Sequence, residues 1–131
     1  MTQEETQAIK ELLLKDLCAR LPYGVFCNIG LDKPFLLQSL FVDKLDGILL
    51  DFYEDGKDYQ VYLSEVKPYL FPLSSMTEKQ KNEYQYITER WMNDPSYSIS
   101  DSIDWLNKNH FDYRGLIEKG LAIDATGLDI Y

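Results

Sequence analysis

Three observations predict an α+β fold. Apolar residues recur at helical spacing up to residue 21, residues 23–66 read as strand-like runs broken by Asp-Gly pairs, and helical spacing returns after residue 77. Together they predict a single α+β domain over residues 1–131. It comprises an N-terminal helix, an antiparallel β-meander of about four strands, and two to three C-terminal helices packed on the sheet. A chain of 131 residues buries roughly two-thirds of the surface its unfolded form exposes. It therefore needs neither a disulfide nor a metal to hold its core.

The first helix is expected over residues 2–21. Thr2 and Glu5 fit a capping box, and Ile9, Leu12, Leu13, Leu17 and Leu21 form one apolar stripe. Pro22 stops the helix. Strand-like runs follow at 23–29, 35–42, 48–53 and 59–66. The second is almost wholly apolar, which suggests a strand covered on both faces or at least mostly buried. Asp46-Gly47 and Asp55-Gly56 supply the left-handed conformations that tight hairpins need. In the fourth run Tyr59, Val61 and Leu63 share one face, and Gln60, Tyr62 and Ser64 the other.

Residues 67–77 separate the two periodicities. Two prolines, Pro68 and Pro72, lie among Tyr69, Leu70, Phe71, Leu73 and Met76, so the stretch reads as a stiff, covered hinge. Thr77 and Gln80 then cap a helix running to about Met92, with Tyr84, Ile87, Trp91 and Met92 as its apolar stripe. Ser98 or Ser100 starts a shorter helix carrying Ile99, Ile103 and Leu106. Asp112 can cap a third helical segment over 113–119, although Gly115 weakens it. The tail, 121–131, is expected to add an edge strand or lie over the core.

The net charge is −9, with the acid excess concentrated in 32–58 and 94–129. Nonspecific nucleic-acid binding needs Lys and Arg to neutralise phosphates, so direct contact with nucleic acid is not expected. A basic protein partner is compatible with the charge, as is simple solubility. No apolar run is long enough to span a membrane, and the polar, acidic start is not a signal peptide. The expected location is the cytoplasm, where Cys18 and Cys27 are expected to be free, buried thiols.

Few residues suggest chemistry. The single histidine, His110, sits beside Asp112, Tyr113 and Arg114. A small catalytic site built on His110, Asp112 and Arg114 is one reading, but no spacing marks a triad. Arg114 is more simply a lock that ties its loop to Asp112 or another acid. The carboxylates of 51–58 lack the order of a calcium loop, and two cysteines do not make a zinc site. No cofactor is indicated, although an all-carboxylate magnesium site stays open on sequence grounds.

Two segments resemble a known group. Lys67-Pro68-Tyr69-Leu70-Phe71-Pro72-Leu73-Ser74-Ser75-Met76-Thr77 resembles a KPxLxPLSxxT element. Residues 104–122, from Asp104-Trp105-Leu106-Asn107 through His110-Phe111-Asp112-Tyr113-Arg114-Gly115 to Ala122, resemble a DWLNxxHFDYRGLIxKGLA ending. Together they are similar to small uncharacterised proteins of gut-bacterial phages and mobile elements. The resemblance covers about a quarter of the chain and implies such an origin and a cytoplasmic setting. It brings no activity and no catalytic residue.

The resulting expectation is an accessory protein that binds another protein and catalyses nothing. Tyr69, Phe71, His110, Asp112, Tyr113 and Arg114 are the candidate contact residues. The alternatives are an acidic DNA mimic that occupies a host nucleic-acid-binding protein, and an enzyme centred on His110.

Overall fold

A computed structural model describes residues 2–43, 47–96 and 98–131. Helix α1 spans Gln3–Arg20, and the Thr2 hydroxyl accepts from the Glu5 amide at 3.0 Å. Leu13 and Leu17 are buried while Ile9, Leu12 and Leu21 are partly so. A short 3-10 turn, Leu21–Tyr23, takes Pro22 in its first positions, where the missing N–H is harmless.

The strands are β1 (Phe26–Asn28), β2 (Phe35–Asp43), β3 (Gly47–Glu54), β4 (Lys57–Tyr62) and β5 (Lys67–Pro72). After β5 come α2 (Glu78–Asn93), α3 (Ile99–Lys108) and two short strands, β6 (Phe111–Asp112) and β7 (Ile123–Asp124). The class is α+β as expected, but the sheet is larger than the meander foreseen. Its strands run β4-β3-β2-β1-β5-β6, and β7 also pairs with β5. The β1–β2, β2–β3, β3–β4 and β1–β5 pairs are antiparallel, whereas β6 and β7 join β5 in parallel.

Several expectations are corrected. The proline-rich stretch is not a hinge over its first half but strand β5. Pro68 stands opposite Cys27 and Pro72 opposite Asp112, at the second and last residues of the strand. Prolines there leave little of the ladder unmade. Strand β2 is covered on one face only: Phe35 and Leu37 are buried, Phe41 on the other face is exposed, and Val42 is exposed where the strand runs past the core. Its register shifts between Leu37 and Ser39. Residues 113–115 are irregular and 116–119 form turns rather than a helix, with Gly115 at a left-handed φ of +74°. Cys18 is exposed and only Cys27 is buried; both are free. The Asp46-Gly47 hairpin falls largely outside the described residues. The Asp55-Gly56 hairpin is a two-residue turn with both φ values positive, +52° and +80°, as a type I′ turn requires.

The core lies between α1 and the inner sheet face. Leu13 and Leu17 meet Val25, Cys27, Phe35, Leu37, Leu50, Phe52 and Leu70 there. Capping boxes at Thr77/Gln80 and Ser98/Asp101 start α2 and α3. The two helices pack on each other, and α3 reaches β6 and α1. No residue of α2 is fully buried. Tyr84, Ile87 and Trp91 are half-buried, whereas Met92 of the anticipated stripe is 66% exposed. In α3 Leu106 is buried while Ile99 and Ile103 stay exposed, so the loop end of this helix pair extends past the core.

Candidate functional site

The candidate residues of the second half do converge, but on the interior. Asp112 is buried, and its carboxylate accepts from three backbone amides: Arg114 (3.3 Å), Leu116 (3.0 Å) and Ile117 (3.0 Å). It thus holds the 113–117 turn in the way an N-cap holds a helix. Arg114 does not pair with that carboxylate. Its Nε donates to Asp16 Oδ1 at 3.2 Å, across the fold to α1.

Asp16 and Arg20 complete the arrangement, both fully buried. Arg20 Nε donates to Asp16 Oδ2 at 2.8 Å, and its Nη2 donates to the Phe111 carbonyl at 2.6 Å. The Asp16 carboxylate therefore sits between two guanidiniums. The Tyr113 ring lies under both, 5.4 Å from Arg20 and 4.8 Å from Arg114. Its hydroxyl accepts from Arg114 Nη2 and donates to Asn107 Oδ1 at 2.9 Å. These side chains tie α1, α3, β6 and the following turn into one unit, with every charge paired or stacked.

His110 sits just before β6 with φ +65°, a left-handed conformation uncommon outside glycine that Asn, Asp and His tolerate best. The surroundings over-determine it. Its carbonyl accepts from the Phe71 amide at 2.8 Å, and its ring stacks on Tyr131, centroids 3.5 Å apart and 14° from parallel. Burial, then the Arg20 charge, lower its pKa to about 4, so the imidazole is neutral at pH 7. A general base at neutral pH needs a higher value. The hollow beside it, about 220 Å³, is lined by Phe71, Thr77, Phe111 and Thr126 but not by His110.

Tyr69 and Phe71 also face inward. Tyr69 is buried and its hydroxyl accepts from Asn28 Nδ2 at 3.3 Å. Phe71 packs against Phe111 and Tyr131. The Tyr131 hydroxyl donates to the Tyr69 carbonyl at 2.8 Å and accepts from the Phe26 amide at 3.0 Å. It bridges β1 and β5 where their own ladder has ended. Sequence reasoning missed Asp16, Arg20 and Tyr131. The first two did leave a signal: 13, 16, 17 and 20 share one helix face, so two charges fall in phase with the apolar stripe.

The outer face of β2–β3–β4 is a different surface. No helix covers it. Phe41, Leu49 and Tyr62 are directly opposite one another across the three strands, and Phe41 and Tyr62 are 40% and 44% exposed. The next row is Ser39, Asp51 and Gln60, and beyond it Tyr53 stands opposite Asp58. Lys33 pairs with Glu54 and Asp55 near the β3–β4 turn. Among the described residues, Asp51 and Asp58 have no ion-pair partner.

Among the described residues no group of His, Cys, Asp and Glu is placed to hold a metal, and no helix is long and apolar enough to cross a membrane. No protein-family model, curated protein or solved structure matches the chain.

Proposed function

We propose that this protein is a non-enzymatic accessory protein of a phage or mobile element, acting in the cytoplasm by binding another protein. The observation that carries the reading is the uncovered row Phe41–Leu49–Tyr62. Apolar and aromatic groups contiguous across three strands favour a protein contact, since aromatics are enriched in interface cores. The remaining candidates favour it by elimination: His110, Asp112, Tyr113 and Arg114 are engaged by the fold itself. The contact surface is therefore the outer sheet face rather than the Asp112–Arg114 turn. The exposed acids are distributed over α1, the β3–β4 hairpin, α2, α3 and the tail, which does not favour a DNA mimic.

The test is site-specific photocrosslinking in the cells that make the protein. A photoreactive phenylalanine replaces Tyr62, and in a control replaces Gln85 on the exposed side of α2. A discrete heavier adduct from position 62 and none from position 85 is the expected result. No adduct, or the same adducts from both, overturns the proposal.

A further inference from the structure

We infer that the free edge of β4 accepts an extended segment of the partner as an added strand. The partner segment carries an apolar and a basic side chain on one face. This inference rests on the protein-binding reading and names how the contact is made. It starts from backbone geometry. Glu54 and Lys57 close the two-residue turn at Asp55-Gly56, and the closing pair of such a turn exchanges both its hydrogen bonds. Hydrogen-bonded pairs then alternate along the ladder. Lys57, Tyr59 and Val61 bond to β3, while the amides and carbonyls of Asp58, Gln60 and Tyr62 point away from it.

Strand β4 ends the strand order, with β3 on one side only. Edge strands are commonly blunted by proline, by bulges, by charged side chains or by cover, and the charges of β4, Lys57 and Asp58, lie at its turn end only. This one has no proline, and its register with β3 is unbroken. The other end of the sheet is built over by β6, β7 and α3. The residues whose backbone groups face outward also present their side chains on the uncovered sheet face, because side chains alternate along a strand. An incoming strand therefore meets Tyr62, Gln60 and Asp58 in succession.

The side-chain chemistry selects the occupant. An apolar residue beside Tyr62 extends the Phe41–Leu49–Tyr62 row by one strand. A lysine or arginine on the same face, placed beside Asp58, supplies the positive charge that this carboxylate lacks among the described residues. The intervening residue faces Gln60 and is polar. The main chain gives affinity and these alternate positions give selectivity, which is the division seen in strand addition generally. The −9 net charge speeds the approach of a basic segment.

The probe is a synthetic β-strand peptide of threonine and valine, about the length of an ordinary strand. Leucine and lysine lie on one face at the separation of Tyr62 and Asp58. Titrated into isotopically labelled protein, it is expected to shift the amides of Asp58, Gln60 and Tyr62 and slow their hydrogen exchange. Replacing its lysine by glutamate is expected to weaken binding at least tenfold. Gln60→Pro removes one outward N–H without touching the β3 ladder. It is expected to lower peptide affinity at least tenfold with an unchanged fold by amide spectrum. If that variant does not fold, Asp58→Lys tests the charge, since it must exchange the preference between the two peptides. The inference falls if millimolar peptide leaves the three amides unmoved. It also falls if the protein self-associates through β4, seen as a dimer in sedimentation that Gln60→Pro abolishes, because the occupant is then a second copy. A Tyr62 photoadduct that survives Gln60→Pro sinks strand addition while leaving protein binding intact. A missing photoadduct in the unaltered protein sinks both.

Discussion

Removing the Asp16 carboxylate should damage this protein more than any surface change. Asp16 and Arg20 have fully buried side chains, and Asp16 contacts Arg20 at 2.8 Å and Arg114 at 3.2 Å. Two unit charges about 4 Å apart attract by about 4 kcal/mol at an effective dielectric near 20. In Asp16→Ala, Arg20 keeps its hydrogen bond to the Phe111 carbonyl but loses its counter-charge inside the protein. Leaving one member of a buried pair uncompensated costs about 3–5 kcal/mol, against a total stability of about 5–15 kcal/mol. The assay is urea unfolding followed by fluorescence of Trp91 and Trp105, with free energies taken by linear extrapolation. Asp16→Asn, which keeps the shape and one acceptor, should cost less than Asp16→Ala. The double change Asp16→Leu with Arg20→Met should recover at least half the loss, because apolar replacement of a whole buried pair is often neutral. High salt should alter the cost little, as screening does not reach buried charges. An Asp16→Ala cost below about 1 kcal/mol, or a double variant weaker than the single one, would refute the argument that the buried Asp16–Arg20 pair locks the fold.

Three further outcomes are expected. The His110 pKa of about 4 lies below its ordinary 6.5. The unfolded chain therefore takes up the proton first, and the contribution is whole above pH 6.5 and lost as the pH falls towards 4. The full shift corresponds to about 3 kcal/mol, reduced to about 1–2 kcal/mol because the ring is partly solvated. His110→Asn, which tolerates the left-handed backbone, should flatten that part of the pH–stability curve relative to the unaltered protein. Tyr131→Phe keeps the stack on His110 but deletes the hydroxyl that joins Phe26 to Tyr69. It should cost about 1–3 kcal/mol in thermal or urea unfolding, and a change under a few tenths would show that the bridge is idle. Burial, and to a lesser degree the Asp16 charge, push the Cys27 thiol up, whereas Cys18 is exposed. Maleimide at pH 8 should label Cys18 quickly and Cys27 only on unfolding; equal rates in the native protein would contradict the placement of β1.

Local signals were legible wherever one residue type answers one local demand. Thr77 with Gln80 and Asp55-Gly56 each satisfy amides or dihedrals within a few residues, and each appears where the spacing placed it; of the two starts left open for the next helix, Ser98 is the one used. Non-local pairing was not legible. β6 and β7 are two residues long, too short for a periodicity of their own. They exist because β5 offers free backbone groups on arrival. The same holds for β5, whose prolines suggested a break until its partners were known. At the candidate site, Arg114 was read correctly as a lock but its acid is 98 positions away, and no spacing rule reaches that far. Asp16 and Arg20 were readable in principle, as charges in phase with Leu13 and Leu17.

The two ends of the sheet have opposite characters, and that difference is what favours the proposed contact surface. At the β5 end, Tyr131, His110, Asp112 and the Asp16–Arg20–Arg114 cluster consume nearly every specific-looking side chain in holding helices and short strands together. Such residues resist substitution for structural reasons, and holding the fold accounts for them without any ligand. At the β4 end the outer face is left uncovered among the described residues. The hairpin repeats apolar, polar and acidic rows with its backbone open, and neither the core nor the locks require Phe41 or Tyr62 there. Polar replacements at both positions should cost the fold under about 1 kcal/mol. Binding energy concentrates in a few central aromatic anchors, so the same pair should remove most of the partner's affinity. Urea unfolding beside crosslinking from a photoreactive phenylalanine at Leu49, between the two altered positions, separates the two: a stable variant that still captures its partner would overturn the outer-face contact.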